Sequence, residues 1–203
     1  PDDKHMLKRL MPLSGATAAL AFFAAIYLLG GLIENYSHTS QTVSEIGRAG
    51  SPAEVQWRVA NLLVAAGLLV FAVSIRNFAS TRNVSQLPAL FVAFYALSVA
   101  GTALFATPHP LHNVFGLSLL IGYMAPLVTA LTWRSQAELR SVAAVSAISW
   151  CIVVLAIALN LSPLFAPSLY PLEFYGVVQR GLFVAYYGWC FYLSLTLMQQ
   201  ARR

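Results

Sequence analysis

Charged residues are scarce in this sequence. Asp, Glu, Lys and Arg make up 9% of the 203 residues, whereas apolar side chains make up 59%. Soluble domains are about a quarter charged, so this chain cannot cover a water-facing surface, and its apolar content excludes a disordered chain. The mean hydropathy of +0.70 places the protein in a lipid bilayer.

Signals of known chemistry are also missing. The two cysteines, Cys151 and Cys190, lie inside apolar stretches and form neither a disulfide framework nor a metal-binding Cys-x-x-Cys motif. The sequence has no phosphate-binding loop, dinucleotide fingerprint or His-Glu-x-x-His motif. We attribute its basic pI of about 9.5 to membrane topology and not to nucleic-acid binding.

Six apolar stretches are long enough to cross a bilayer as helices, which takes roughly 20 residues each. They lie at about 13–33, 57–75, 87–107, 111–133, 142–161 and 175–198. The first is longer than the apolar region of a signal peptide, so we expect it to be retained. The sequence therefore predicts an all-α, polytopic six-helix bundle, with Pro126 as the one mid-helix candidate for a kink.

Residues 1–5 read as the remnant of an expression tag before Met6, and without them the chain has no aspartate. No linker divides the rest, so we treat 6–203 as a single transmembrane domain. Most Lys and Arg residues fall on one side of the six spans, and the opposite side carries Arg48 and Arg58. By the positive-inside rule, both termini are predicted to be cytoplasmic.

The same topology gathers most of the remaining polar chemistry on the outer side. The longest loop, 34–56, is predicted to cap this end of the bundle. Glu34 and His38 would share a face if the first helix continued into the loop. Ser44 lies near His38 and Glu45, although serine and histidine in a polar loop are a weak signal for a nucleophile and its base.

Two histidines occupy the turn between the third and fourth spans. Their spacing of three lets His109 and His112 point to the same side. With a carboxylate such as Glu45, they would be workable ligands for zinc or another divalent metal. The alternative is that both imidazoles are interfacial groups at the level of the lipid headgroups.

Arg180 is the most costly residue in the sequence. It lies more than one turn into the last apolar stretch, where an unpaired arginine is expensive. Glu173, seven residues earlier, is the predicted partner, with Glu34 and Glu45 as alternatives. Such a pair is either structural or part of a contact to a substrate anion.

Three blocks together resemble the prokaryotic membrane family catalogued as domain of unknown function 998. The blocks are SQTVSEIGRAGSP, FATPHPLHNVFG and YGVVQRG. The resemblance covers most of the chain and implies a fold and a prokaryotic inner-membrane location, but no established activity. Matched residue by residue, it selects Ser44, Glu45, Gly50, Asn61, His112 and Arg180. The family pattern has Glu or Gln before this arginine, and Gln179 stands where a carboxylate is expected, which weakens any role for an acid beside Arg180.

These observations lead to three functional hypotheses. In the first, His109, His112 and Glu45 bind a divalent metal, Glu45 and His112 are catalytic, and the substrate is a lipid or lipid-linked molecule. The substrate-binding residues would be Arg180, Glu173, Ser44 and Asn61. In the second, the pocket binds or transports a small anion or lipid headgroup without chemistry. In the third, the protein is a structural partner subunit. Membrane lipids are expected partners in each case.

Overall fold

The computed structural model describes residues 10–169 and 172–200, and this part of the chain contains helices and no β-strand. The longer helices are α1 (Leu13–Gly30), α2 (Glu54–Thr81), α3 (Leu87–Leu104), α4 (Pro110–Gly122), α5 (Ala125–Trp133), α6 (Arg140–Leu161) and α7 (Tyr175–Gln200). The tag interpretation concerns residues 1–5, which lie outside the described residues.

Six helical segments of the described chain are long and apolar enough to cross a membrane, with α4 and α5 together forming the fourth. This confirms the predicted all-α fold of an integral, multi-pass membrane protein. The orientation of the termini stays a prediction.

Several helix boundaries differ from the apolar stretches. α1 ends at Gly30, so the condition under which Glu34 and His38 would share a helical face is not met. α2 runs beyond its apolar part, from Glu54 to Thr81. The fourth span is broken after Gly122, because Pro126 has no N–H to donate and its ring clashes with the carbonyl of residue 122. The interruption lies next to Pro126, the residue predicted as the candidate for a kink.

The helices pack as a ring in chain order, with α7 returning to α1. α3 packs against both α4 and α5, and α6 packs against α5 and α7. Large aromatic side chains contribute to the buried core of the bundle. They are Phe22, Phe71, Tyr95, Trp133, Tyr186, Tyr187 and Trp189, and each is buried.

The bundle has two distinct ends. One end, which we call the arginine end, carries the turns 82–86 and 134–139. An ion pair between Arg82 and Glu138 joins these two turns. The Trp133 indole adds a 2.9 Å hydrogen bond to the carbonyl of Ser85. The loop end carries residues 31–53, and Ala49 N–H donates to the carbonyl of Thr107 at 2.9 Å. The polar side chains that the sequence marks as candidate site residues lie mostly at this loop end.

Candidate functional site

A pocket of about 540 Å³ extends from the loop end into the ring of helices. This volume lies within the range of small-molecule sites. Polar residues at the mouth are Ser44, Thr107, His112, Asn113, Asn160 and Gln179. The walls and floor are mostly aromatic or aliphatic, and include Phe22, Trp57, Tyr95, Tyr123, Phe183 and Tyr187.

The pocket lies beside α4, the most thinly packed helix of the described chain. Gly122 is the one fully buried residue of α4. α4 packs against α3 and, within the described residues, has no comparable packing against α6 or α7. Asn160 of α6 and Gln179 of α7 nevertheless line the pocket together with α4. The pocket therefore borders the gap between α4 and these two helices.

Two glycine contacts hold α4 on α3. A Cβ at Gly101 would lie 2.2 Å from the ring of Phe115, and a Cβ at Gly122 would lie 2.5 Å from the Cβ of Tyr95. Gly116 lies between these contacts on α4, lines the pocket, and would meet no atom within 4 Å of an added Cβ. The helix is thus fixed at two points, and its pocket face is open.

Residues 36–45, which we call the lid, fold over the loop end and bring Val43 and Ser44 into the pocket wall. Three main-chain groups of the lid are bonded to the start of α7. Val177 N–H donates to Thr39 O at 3.0 Å, Arg180 Nη1 donates to Gln41 O at 2.8 Å, and Val43 N–H donates to Gln179 Oε1 at 2.7 Å. Gly176 permits this approach, because a Cβ there would lie 2.4 Å from Gln41 O.

The terminal nitrogens of Arg180 donate to neutral groups, whereas its Nε is buried without a hydrogen-bond partner. Nη1 donates to the carbonyls of Gln41 and Gly176, and Nη2 donates to the Tyr36 hydroxyl at 2.6 Å and to His38 Nδ1 at 3.2 Å. The prediction that Arg180 needs a partner is confirmed, but the predicted carboxylate partner is wrong. Glu173 is exposed and is not among these contacts.

The groups around Arg180 respond to its charge. A guanidinium can only donate, so Nδ1 of His38 must be unprotonated. Burial, followed by the charge of Arg180, holds the pKa of His38 below its usual value. Burial raises the pKa of Tyr36, although Arg180 opposes this shift. The contact is therefore between one cation and neutral partners.

Glu45 is used in folding the lid. Its Oε1 accepts from the N–H and the hydroxyl of Thr42, both at 2.9 Å, and its Oε2 accepts from Gln41 Nε2 at 2.9 Å. Burial works to raise the pKa of Glu45, but these hydrogen bonds and the charge of Arg48 outweigh it and lower the pKa. This is a capping box, and the Thr-x-x-Glu pattern in the sequence was the signal for it.

The two histidines have different surroundings. His109 caps α4, with Nδ1 accepting from Leu111 N–H at 3.2 Å. His112 lines the pocket, and its Nδ1 lies 2.8 Å from Phe105 O and 3.2 Å from Thr102 O. A carbonyl cannot donate, so Nδ1 of His112 must carry the proton. Nε2 of the neutral imidazole is then a hydrogen-bond acceptor.

The metal hypothesis receives no support from this arrangement. Within the described residues, no three or more His, Cys, Asp or Glu side chains are grouped so that they could hold a metal ion. Glu45 is engaged in the lid, and His109 lies outside the pocket lining.

Some of the remaining predicted site residues line the pocket and others do not. Ser44 and Asn61 line the pocket, and Asn61 also donates to the carbonyl of Trp57 at 2.9 Å. Glu173 does not line it. Sequence reasoning missed Tyr123 and Tyr187, which line the pocket and whose hydroxyls are buried. Tyrosines inside an apolar stretch were the available signal.

Comparison with known proteins supports the resemblance found in the sequence. The profile of a family described as protein of unknown function (DUF998) matches residues 16–196. No curated protein and no solved structure matches significantly.

Proposed function

The chain belongs to the DUF998 family, and we propose that it binds one uncharged amphiphilic molecule from the surrounding membrane in the pocket beside α4. This proposal develops the non-catalytic hypothesis. The observation that carries it is the pocket itself, which has uncharged polar groups at its mouth and a mainly apolar interior next to a thinly packed helix.

The lining favours a ligand without net charge. None of the described residues around the pocket is Asp, Glu, Lys or Arg. Burying an ion in such a site is costly unless a partner of opposite charge meets it. Arg180, the residue expected to hold an anion, donates to the lid instead. These facts support a neutral amphiphile over a phosphate-bearing headgroup.

Access from the membrane follows from the packing of α4. A ligand that enters between α4 and the pair α6 and α7 moves from lipid into the pocket without crossing water, so its chain stays in an apolar environment. The polar mouth can then replace the hydrogen bonds that the ligand made at the membrane surface. We further propose the prokaryotic inner membrane as the location, with both termini cytoplasmic.

His112 supports a second candidate function, acid–base chemistry on the bound amphiphile. Its Nδ1 is held by two carbonyls, which leaves Nε2 as an acceptor for a proton from a ligand hydroxyl. This version needs no metal ligand from the lid. Replacement of His112 by Gln would abolish turnover while leaving ligand binding measurable.

Filling the pocket tests the binding proposal. Gly116→Phe places a ring in the pocket without a backbone clash, whereas Gly188→Phe is a matched control, because an added Cβ at Gly188 also meets no atom within 4 Å and this residue does not line the pocket. The detergent-solubilised protein would be titrated with dioleoylglycerol, and 1:1 complexes would be counted by native mass spectrometry.

We expect dioleoylglycerol to bind the wild type and Gly188→Phe equally, and Gly116→Phe at least tenfold more weakly. Dioleoylphosphatidylglycerol, which has similar chains and a charged headgroup, should not compete. Equal binding by both variants, or displacement by the charged lipid, would contradict the proposal.

A further inference from the structure

Another cavity lies between α5 and α6 and has a volume of about 340 Å³. Its wall on α5 has the spacing of one helical face and consists of Leu127, Ala130, Leu131 and Arg134. Its wall on α6 has the same spacing and runs from Arg140 to Cys151. We call this cavity the α5–α6 groove. It lies on the outer surface of the bundle, because Leu131 is 54% exposed and Cys151 is also exposed.

The groove has the length of one lipid chain. Its wall on α6 contains three alanines, Ala143, Ala144 and Ala147, which leave space between the helices. Arg140 and Cys151 are eleven residues apart, which corresponds to about 16 Å along a helix. The hydrocarbon layer of one leaflet is about 15 Å thick. An acyl chain can therefore lie in the groove from the headgroup level to the middle of the membrane.

Two arginines lie at the headgroup end of the groove. Arg134 directly follows α5, and Arg140 is the first residue of α6. Both are exposed, and among the described residues neither side chain has an ion pair or a hydrogen bond. Glu138, the acidic residue of the intervening turn, is paired with Arg82. The groove therefore combines an apolar channel with two cations that have no counter-ion in the described chain.

A comparable groove between α2 and α3 differs in its charge. Its described lining contains Arg76 and Gln86, and Arg76 Nε donates to Gln86 Oε1 at 3.3 Å. The arginine of that groove thus has a partner in its own wall. Charge complementarity to an anion is therefore stronger at the α5–α6 groove.

We propose that the α5–α6 groove binds one anionic phospholipid, with its phosphate at Arg134 and Arg140 and one acyl chain along the alanines. Guanidinium groups bind phosphate oxygens through charge-assisted hydrogen bonds, and basic pockets between spanning helices favour anionic headgroups. No described residue lines both this groove and the pocket beside α4. The inference is therefore independent of the proposed function.

Three probes test the two parts of the ligand. Dioleoylphosphatidylglycerol carries a net negative charge, dioleoylphosphatidylcholine has the same chains and a phosphate but no net charge, and glycerophosphoglycerol is the anionic headgroup without chains. Each probe would be titrated into the full-length protein in detergent, and dissociation constants would be measured by native mass spectrometry. Glycerophosphoglycerol would also be added as a competitor.

Five variants separate the arginines from the groove. Arg134→Gln and Arg140→Gln each remove one cation, and Arg76→Gln is their control at the same end of the bundle. Ala147→Phe fills the groove, and Ala158→Phe is its control, because Ala158 is exposed on the same helix and does not line the groove. All five side chains are exposed, so we expect the thermal stability of every variant to match that of the wild type.

We expect the wild type to bind phosphatidylglycerol at least about fivefold more tightly than phosphatidylcholine. Arg134→Gln, Arg140→Gln and Ala147→Phe should each weaken phosphatidylglycerol binding by roughly fivefold, whereas Arg76→Gln and Ala158→Phe leave it unchanged. Glycerophosphoglycerol should not displace the lipid, because the chain contributes to binding.

Trp150 reports where the chain lies. It lines the groove ten residues after Arg140, whereas the other three tryptophans are at most 8% exposed. Phosphatidylglycerol brominated at its double bonds should quench the fluorescence of the wild type, and most of this quenching should disappear in Trp150→Phe.

Several results would overturn the inference. Equal affinity for the two lipids, or no binding of phosphatidylglycerol, would exclude an anion site. Unchanged binding by Ala147→Phe, displacement by glycerophosphoglycerol, or quenching that persists in Trp150→Phe would show that the groove does not hold the chain. Weaker binding of phosphatidylglycerol by Gly116→Phe would place the charged lipid in the pocket beside α4, and would contradict the proposed function as well.

Discussion

The two halves of the fourth apolar span, α4 and α5, are similarly apolar but differently packed. Five of the nine residues of α5 are buried, including Trp133. In α4, one residue of thirteen is buried. Lipid chains solvate an apolar side chain about as well as protein does, so apolarity alone does not determine which half of a span packs. α4, the half with fewer buried residues, is the half that borders the pocket.

The largest expected effect tests this contrast directly. Trp133→Ala removes a fully buried ring and its hydrogen bond to Ser85, and should lower the free energy of unfolding by about 3–5 kcal/mol. Leu117→Ala on α4 removes a side chain that is 64% exposed, and should change it by less than about 0.5 kcal/mol. Reversible unfolding in detergent would measure both. Similar losses in the two variants would mean that α4 is packed like α5.

A second prediction concerns the lid, which covers the loop end of the pocket. Arg180→Gln removes donors to Gln41 O, the Tyr36 hydroxyl and His38. We expect the attachment of the lid to α7 to become weaker by roughly 1.5–3 kcal/mol. Hydrogen exchange should then rise in residues 36–45 and remain unchanged in α5. Arg134→Gln, which alters an exposed side chain at the arginine end, is the control. An unchanged lid would show that the main-chain bonds alone are sufficient.

The smallest effect is a dependence on pH. The pKa of His38 is lowered in the folded state, so the detached lid takes up a proton more readily than the docked lid. Above the ordinary pKa of 6.5, protonation of His38 should not affect the attachment of the lid to α7. Below this pH the attachment should weaken, because a protonated imidazole would face Arg180. Hydrogen exchange of the lid at about pH 7.5 and 5.5 would measure this difference. His38→Gln should abolish it.

Much of the fold could be predicted from the sequence, because an apolar stretch of sufficient length has few alternatives to a spanning helix. The break near Pro126 was also predictable, since proline removes a specific hydrogen bond. The helix ends were less predictable. α1 stops at Gly30, where the side chains of Tyr36 and His38 from the folded loop lie against the end of the helix.

The candidate site was only partly predictable. Ser44, Asn61 and His112 do line the pocket. The partner of Arg180 was misjudged, because carbonyl, hydroxyl and imidazole groups can also accept from a guanidinium, and which of them approach depends on how the lid folds. The role of Glu45 could have been recognised from Thr42, three residues earlier, as a capping pattern.

The lid is bonded to α7 largely through main-chain atoms of Thr39, Gln41 and Val43. Substitutions at these positions would leave the bonding groups in place, because every residue provides a carbonyl and every residue except proline provides an N–H. The chemistry displayed at the mouth, such as the hydroxyl of Ser44, is therefore separable from the attachment of the lid. Single substitutions at the mouth can therefore change the ligand preference of the protein while the lid remains attached to α7.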